Sequence, residues 1–72
     1  MYITRLKRMR EHRGLSQNGL AKKSGVNIQM IQHYEQGVRD INKAQAITIL
    51  NLAMALGCNM EDLLEDERLS NY

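Results

Sequence analysis

Apolar residues along the chain recur three and four positions apart, the spacing of a helix face, and no run of alternating β-branched residues marks a strand. Glycines punctuate this pattern. Gly14, Gly25, Gly37 and Gly57 each follow a helical stretch, where a residue free to take positive φ closes a helix. Residues 3–13 set Ile3, Leu6 and Met9 on one stripe among basic side chains. Ser16 is placed to cap a short helix over residues 17–24 that buries Leu20 and Ala21, with Gly19 a weak helix former near its start. Asn27 caps a third helix over residues 28–36, with Ile31 and Tyr34 facing inward and Gln29, Gln32, His33 and Gln36 outward. Residues 38–43 read as a polar loop, and Asn42 is placed to cap the next helix.

Residues 44–56 break the amphipathic pattern. Ten of these thirteen are apolar, and Gln45, Thr48 and Asn51 fall on one narrow stripe. A helix apolar nearly all round is normally buried on most sides, and a chain of 72 residues has little protein with which to surround it. Asn59, with Asp62 three residues on, opens a short fifth helix that turns Met60, Leu63 and Leu64 inward, before an acidic, frayed end over residues 65–72. The expectation is an all-α domain of five short helices.

Size and composition narrow the function classes. A chain of 72 residues, 43% hydrophobic and 25% charged, is expected to form one globular domain over residues 1–72. One core of that size supplies about 3–5 kcal/mol of net stability, so a partner subunit is a natural supplement. Cys58 is the sole cysteine, which excludes an internal disulfide and fits a reducing, cytoplasmic setting. The longest uninterrupted apolar run, residues 52–56, is far short of a bilayer span, and the basic N-terminus lacks the apolar stretch of a signal peptide. Charge is divided unevenly. Residues 1–43 carry nine Lys/Arg against three Asp/Glu, whereas residues 44–72 carry one against five. The basic part points to a polyanion on one face.

A helix, a glycine-containing turn and a second helix with polar residues outward is the helix-turn-helix arrangement. The run Gly14-Leu15-Ser16-Gln17, through Leu20-Ala21, Gly25-Val26, Ile31, Tyr34-Glu35 and Gly37, resembles the phage-repressor helix-turn-helix family of the Cro/cI or Xre type. The likeness continues through Ala53-Met54-Ala55-Leu56-Gly57 and Asp62-Leu63-Leu64, and so covers most of the chain. It implies a compact, lambda-repressor-like domain in which helices two and three form the motif and helix three enters the major groove of double-stranded DNA. The family's base-reading positions fall here on Asn27, Ile28, Gln29, Gln32 and His33. The side chains suit that use: Gln29 offers adenine a donor and an acceptor together, and Ile28 meets a thymine methyl. Asn27 is divided between reading and capping. Phosphate contacts are implied for Gln17, Arg39 and Lys43, and a structural ion pair for Arg10 with Glu35. Three departures stand out: Gly19 in place of a helix former, Ile28 in place of a polar reader, and a longer loop after Gly37 without its customary proline.

Other chemistry finds little footing. His12 and His33 have no i,i+4 partner, Cys58 has no second cysteine, and no glycine-rich phosphate loop occurs, so neither a metal site, a cofactor nor catalysis is expected. Cys58 reads as buried filler, and Met9, Met54 and Met60 as core packing. The expected function is sequence-specific DNA binding by a small transcriptional regulator, a repressor, acting in the cytoplasm as a homodimer on a pseudo-palindromic operator. No small-molecule ligand is evident. The dimer face is expected on Ile47, Ile49, Met54 and Leu63, the apolar excess of the fourth helix and its neighbour. The alternative is a protein-interaction module, such as an antitoxin or bridging factor. A membrane-surface role for the basic first helix lacks the bulky aromatic anchors such segments use.

Overall fold

The computed structural model describes residues 2–65, and all the regular structure among them is helical. Four α-helices follow one another: α1 (Arg5–His12), α2 (Gln17–Ser24), α3 (Ile28–Gln36) and α4 (Ala46–Leu56). Single 3-10 turns at Ile41–Lys43 and Met60–Asp62 complete the set, so the expected fifth helix is one 3-10 turn.

The helix starts follow from capping side chains that take up otherwise unpaired N–H groups. Ser16 Oγ accepts from Gly19 N at 2.9 Å. Asn27 Oδ1 accepts from Gln29 N at 2.7 Å. Thr4 Oγ1 accepts from Lys7 N at 3.2 Å, and this extended cap moves the start of α1 two residues past the apolar Ile3. Between α2 and α3 the chain reverses at Gly25, whose φ of 75° a residue with a Cβ rarely adopts. Gln45 is extended and makes no side-chain bond to the helix; its backbone O accepts from Thr48 N and Ile49 N, and α4 starts at Ala46.

One apolar cluster joins all these elements. Leu6, Leu20, Ile31, Leu52, Leu56 and Leu63 are its most completely enclosed side chains. Helix α2 packs on both α3 and α4, α1 packs on α3, and the Met60–Asp62 turn closes over α4. Leu15, Val26 and Met30 pack at its margin.

Several expectations are corrected here. Ile41 is a core residue within the stretch read as a polar loop, because the 3-10 turn points it inward. Ile49 and Leu63, expected on a dimer face, are 5% and 0% exposed and belong to the core of one chain. Met54 is 70% exposed and is not core packing. Asn42 caps no helix. Its side chain instead brackets the backbone of Glu65, donating to Glu65 O at 2.6 Å and accepting from Glu65 N at 2.7 Å. Glu65 is therefore tied down rather than frayed, and its carboxylate also accepts from Arg5 N and the Tyr2 hydroxyl. The bond from the Tyr2 hydroxyl raises the pKa of Tyr2. The rest of the expected frayed end lies outside the described residues. Arg13 has a part that periodicity did not assign: its Nε donates to Leu56 O at 2.8 Å, satisfying a carbonyl at the end of α4.

Candidate nucleic-acid interface

Helix α3 presents its polar side away from the core because Ile31 and Tyr34 anchor the opposite one. Gln29 and Gln36 are exposed, with Gln32 and His33 half-buried on the flanks and Ile28 half-buried at the start. Gln29 makes no side-chain hydrogen bond among the described residues, which leaves both ends of its amide available. Asn27 is exposed, but its Oδ1 is occupied by the cap. His33 differs from the expectation of a plain outward reader. Its Nδ1 is enclosed and has no hydrogen-bond partner among the described residues.

Beneath α3 lies a polar network that fixes it to α1 and α2. Arg10 and Glu35 form a two-point pair, Nε to Oε2 at 2.7 Å and Nη2 to Oε1 at 2.9 Å. Their side chains are 10% and 3% exposed. The remaining guanidinium nitrogen of Arg10 donates to Leu15 O at 2.8 Å, so one side chain ties α1, the turn after it and the end of α3. The hydrogen bond to Glu35 raises the pKa of Arg10 against the opposing pull of burial. Gln17, at the start of α2, donates from Nε2 to Glu35 Oε1 at 3.1 Å. Its Oε1 accepts from Gln32 Nε2 at 3.4 Å. The side chain expected at a phosphate thus has both ends of its amide engaged, and the backbone N–H groups of Gln17 and Asn18 at the helix start have no partner among the described residues.

Arg39 and Lys43 come after the end of α3, and Arg39 is exposed. They line an open groove of about 440 Å³ together with Asp40, Tyr34, Gln45 and Thr48. Cys58 is half-buried, and burial raises its thiol pKa, with Asp62 adding to the effect. A raised pKa is the opposite of what an activated thiol needs. Among the described residues no three His, Cys, Asp or Glu side chains gather as metal ligands.

A capped helix, a glycine turn and a second capped helix are the arrangement of a helix-turn-helix. The family model described as "Helix-turn-helix" matches residues 6–63. The chain belongs to the helix-turn-helix family. Its Cro/cI-type resemblance is therefore that of a member, and α2 and α3 are the two helices of the motif. The chain is also similar to a solved structure, the restriction-modification controller protein C.AhdI from Aeromonas hydrophila. Identity is 35%, the match covers 83% of this chain and 86% of that one, and the TM-score is 0.73. No curated protein matches. A member of this family is a DNA-binding transcription regulator, and its partner is double-stranded DNA. The family is one of regulators rather than of enzymes. No helix among the described residues is long and apolar enough to cross a membrane.

Proposed function

We propose that the protein is a repressor that binds a pseudo-palindromic operator as a homodimer, with α3 of each copy in the major groove. The observation that carries this reading is Gln29. It stands exposed in the first turn of a helix held rigidly from behind, with an amide free to make the two-point contact that distinguishes adenine. Ile28 beside it supplies an apolar contact for a thymine methyl. Gln32 and His33 flank it, and Asn27, used as a cap, keeps its amide NH2 for the groove. Arg39 and Lys43, with the backbone N–H of Gln17, set the register on the phosphates. The likeness to a restriction-modification controller supports a role in gene control. Repression comes from occupancy, since a small domain seated on a promoter excludes other proteins from it. Residues 1–72 form one DNA-binding domain in this reading, and its place of action is the cytoplasm.

Two copies are needed because one short helix reads only a few base pairs. Half-sites about 34–36 Å apart bring both recognition helices to one face of the duplex. Ile47, Leu50 and Met54 recur at helical spacing on the uncovered side of α4 and are 57%, 39% and 70% exposed, which makes them the pairing surface.

Selection from random duplexes by the purified protein tests this reading. An enriched inverted repeat is the expected result. Gln29→Ala then costs about 1–3 kcal/mol on the selected site and relaxes preference at its own position, whereas Arg39→Ala weakens all sequences alike. With about 6–10 phosphates engaged, affinity falls by about 10³–10⁵ between 50 and 200 mM salt. Binding to DNA without any sequence preference, or a protein partner held with no salt dependence, overturns it in favour of an interaction module.

A further inference from the structure

We infer that Gln17 sets the polarity of the Gln32 amide, so that Gln32 presents a carbonyl acceptor to the groove and selects a base bearing an amine. The inference rests on the DNA-reading role of α3 proposed above and assigns a specificity to one position in it.

An amide side chain is ambiguous by itself, since its carbonyl and NH2 ends have nearly the same shape. Here a carboxylate removes the ambiguity. Glu35 is paired with Arg10 and offers only acceptors, so the end of Gln17 that meets Glu35 Oε1 at 3.1 Å must be its NH2. The other end of Gln17 is then its carbonyl. That carbonyl faces Gln32 at 3.4 Å, and a carbonyl can be met only by a donor, so Gln32 turns its NH2 toward α2. Its Oε1 is left without a partner among the described residues. Gln32 lies one turn after Ile28 on the flank of α3 next to α2, on the same helix as the exposed Gln29. The order Arg10, Glu35, Gln17, Gln32 thus carries the direction of a buried ion pair out to the edge of the DNA-reading face.

In the major groove adenine and cytosine present an exocyclic amine, whereas guanine and thymine present a carbonyl oxygen. A fixed acceptor on Gln32 favours adenine or cytosine on the strand it faces. A glutamine free to turn over and making one contact, unlike the two-point contact open to Gln29, accepts from an amine or donates to a carbonyl and discriminates little. Gln17 is accordingly a positioning residue: it acts through Gln32. Its effect is separate from general affinity, because it concerns which base is chosen at one position.

The experiment is a base-by-base affinity profile on the selected operator for the wild type, Gln32→Ala and Gln17→Ala, with helicity and melting checked for each variant. Alanine is the best helix former, so both variants keep the helices. Gln32→Ala identifies the position that Gln32 reads, and the wild type is expected to prefer adenine or cytosine there by roughly fivefold or more. In Gln17→Ala that preference falls toward unity while the position read by Gln29 keeps its own. The inference is overturned if Gln32→Ala leaves every position unchanged, if guanine or thymine is favoured there, or if Gln17→Ala lowers affinity evenly and leaves the preference intact. In those outcomes the selected site still stands, and so does the DNA-reading role. A wild type with no preference at any position removes both.

Discussion

At the scale of single residues, Arg10 decides how firmly the helix-turn-helix is held. A guanidinium forks into a carboxylate and still has a nitrogen for a third partner, here Leu15 O, which a lysine ammonium cannot match in geometry. The pair is nearly enclosed, so its desolvation is costly, and its net worth lies in what happens when one partner is lost. Arg10→Met leaves Glu35 and Gln17 with no cation in a closed site, and Glu35→Leu strands the guanidinium. Each single change is expected to cost about 3–5 kcal/mol in urea unfolding, enough to unfold most of a domain this small. The double variant Arg10→Met/Glu35→Leu is expected to lose much less than the sum of the two. An additive double loss shows instead that the residues act independently.

Elements differ in how fully the sequence disclosed them, and the difference has a physical basis. Both helices of the motif were legible to the residue, because Ser16 and Asn27 are strong caps and Gly25 and Gly37 end the helices in the left-handed conformation. The weaker boundaries lay elsewhere. Thr4 and Gln45 are extended residues whose role depends on the fold around them, and each shifted a helix start by two positions. A lone Ile41 among polar neighbours carries no periodicity, and α4 is apolar on so many sides that spacing alone could not separate Ile49 from Ile47. The candidate readers on α3 came from the family's motif. The link from Gln17 to Gln32 joins side chains on two helices at a distance no sequence pattern encodes. Gly19 shows a local choice still open to improvement. It lies within α2 at a φ outside the left-handed region, and a Cβ there meets Ser16 Oγ at 3.2 Å, a hydroxyl that can shift by a few tenths of an ångström while keeping its bond to the residue 19 N–H. Gly19→Ala is expected to stabilise the domain by about 0.5 kcal/mol, part of the full helix-interior difference, and to raise the melting temperature by about 2–4 °C. A fall in melting temperature means that the Ser16 cap does not yield.

For the molecule as a whole, the distribution of apolar surface and the need for two recognition helices bear on the same helix. In the proposed dimer, helix α4 is shared between two tasks. Ile49, Leu52, Ala53, Ala55 and Leu56 build the core, and Ile47, Leu50 and Met54 lie outside it in a stripe. Three side chains are a small part of the roughly 800 Å² that a stable interface buries on each partner, so the proposed dimer needs them as an apolar centre with a polar rim around them. The proposed dimer then owes its affinity for an inverted repeat to linkage: once one α3 is seated, the second reads its half-site at high effective concentration. Met54→Lys sets a charge against its own symmetry mate without touching the core, because Met54 is 70% exposed in one chain. The variant is expected to keep its melting temperature and helicity, to sediment as a monomer at concentrations where the wild type is dimeric, and to bind the full repeat about 10²–10⁴-fold more weakly. Its affinity for an isolated half-site is expected to stay unchanged, since α3 is untouched. If Met54→Lys remains a dimer, the pairing surface lies away from this stripe. If the wild type is itself a monomer that still selects an inverted repeat, the two copies meet only on DNA.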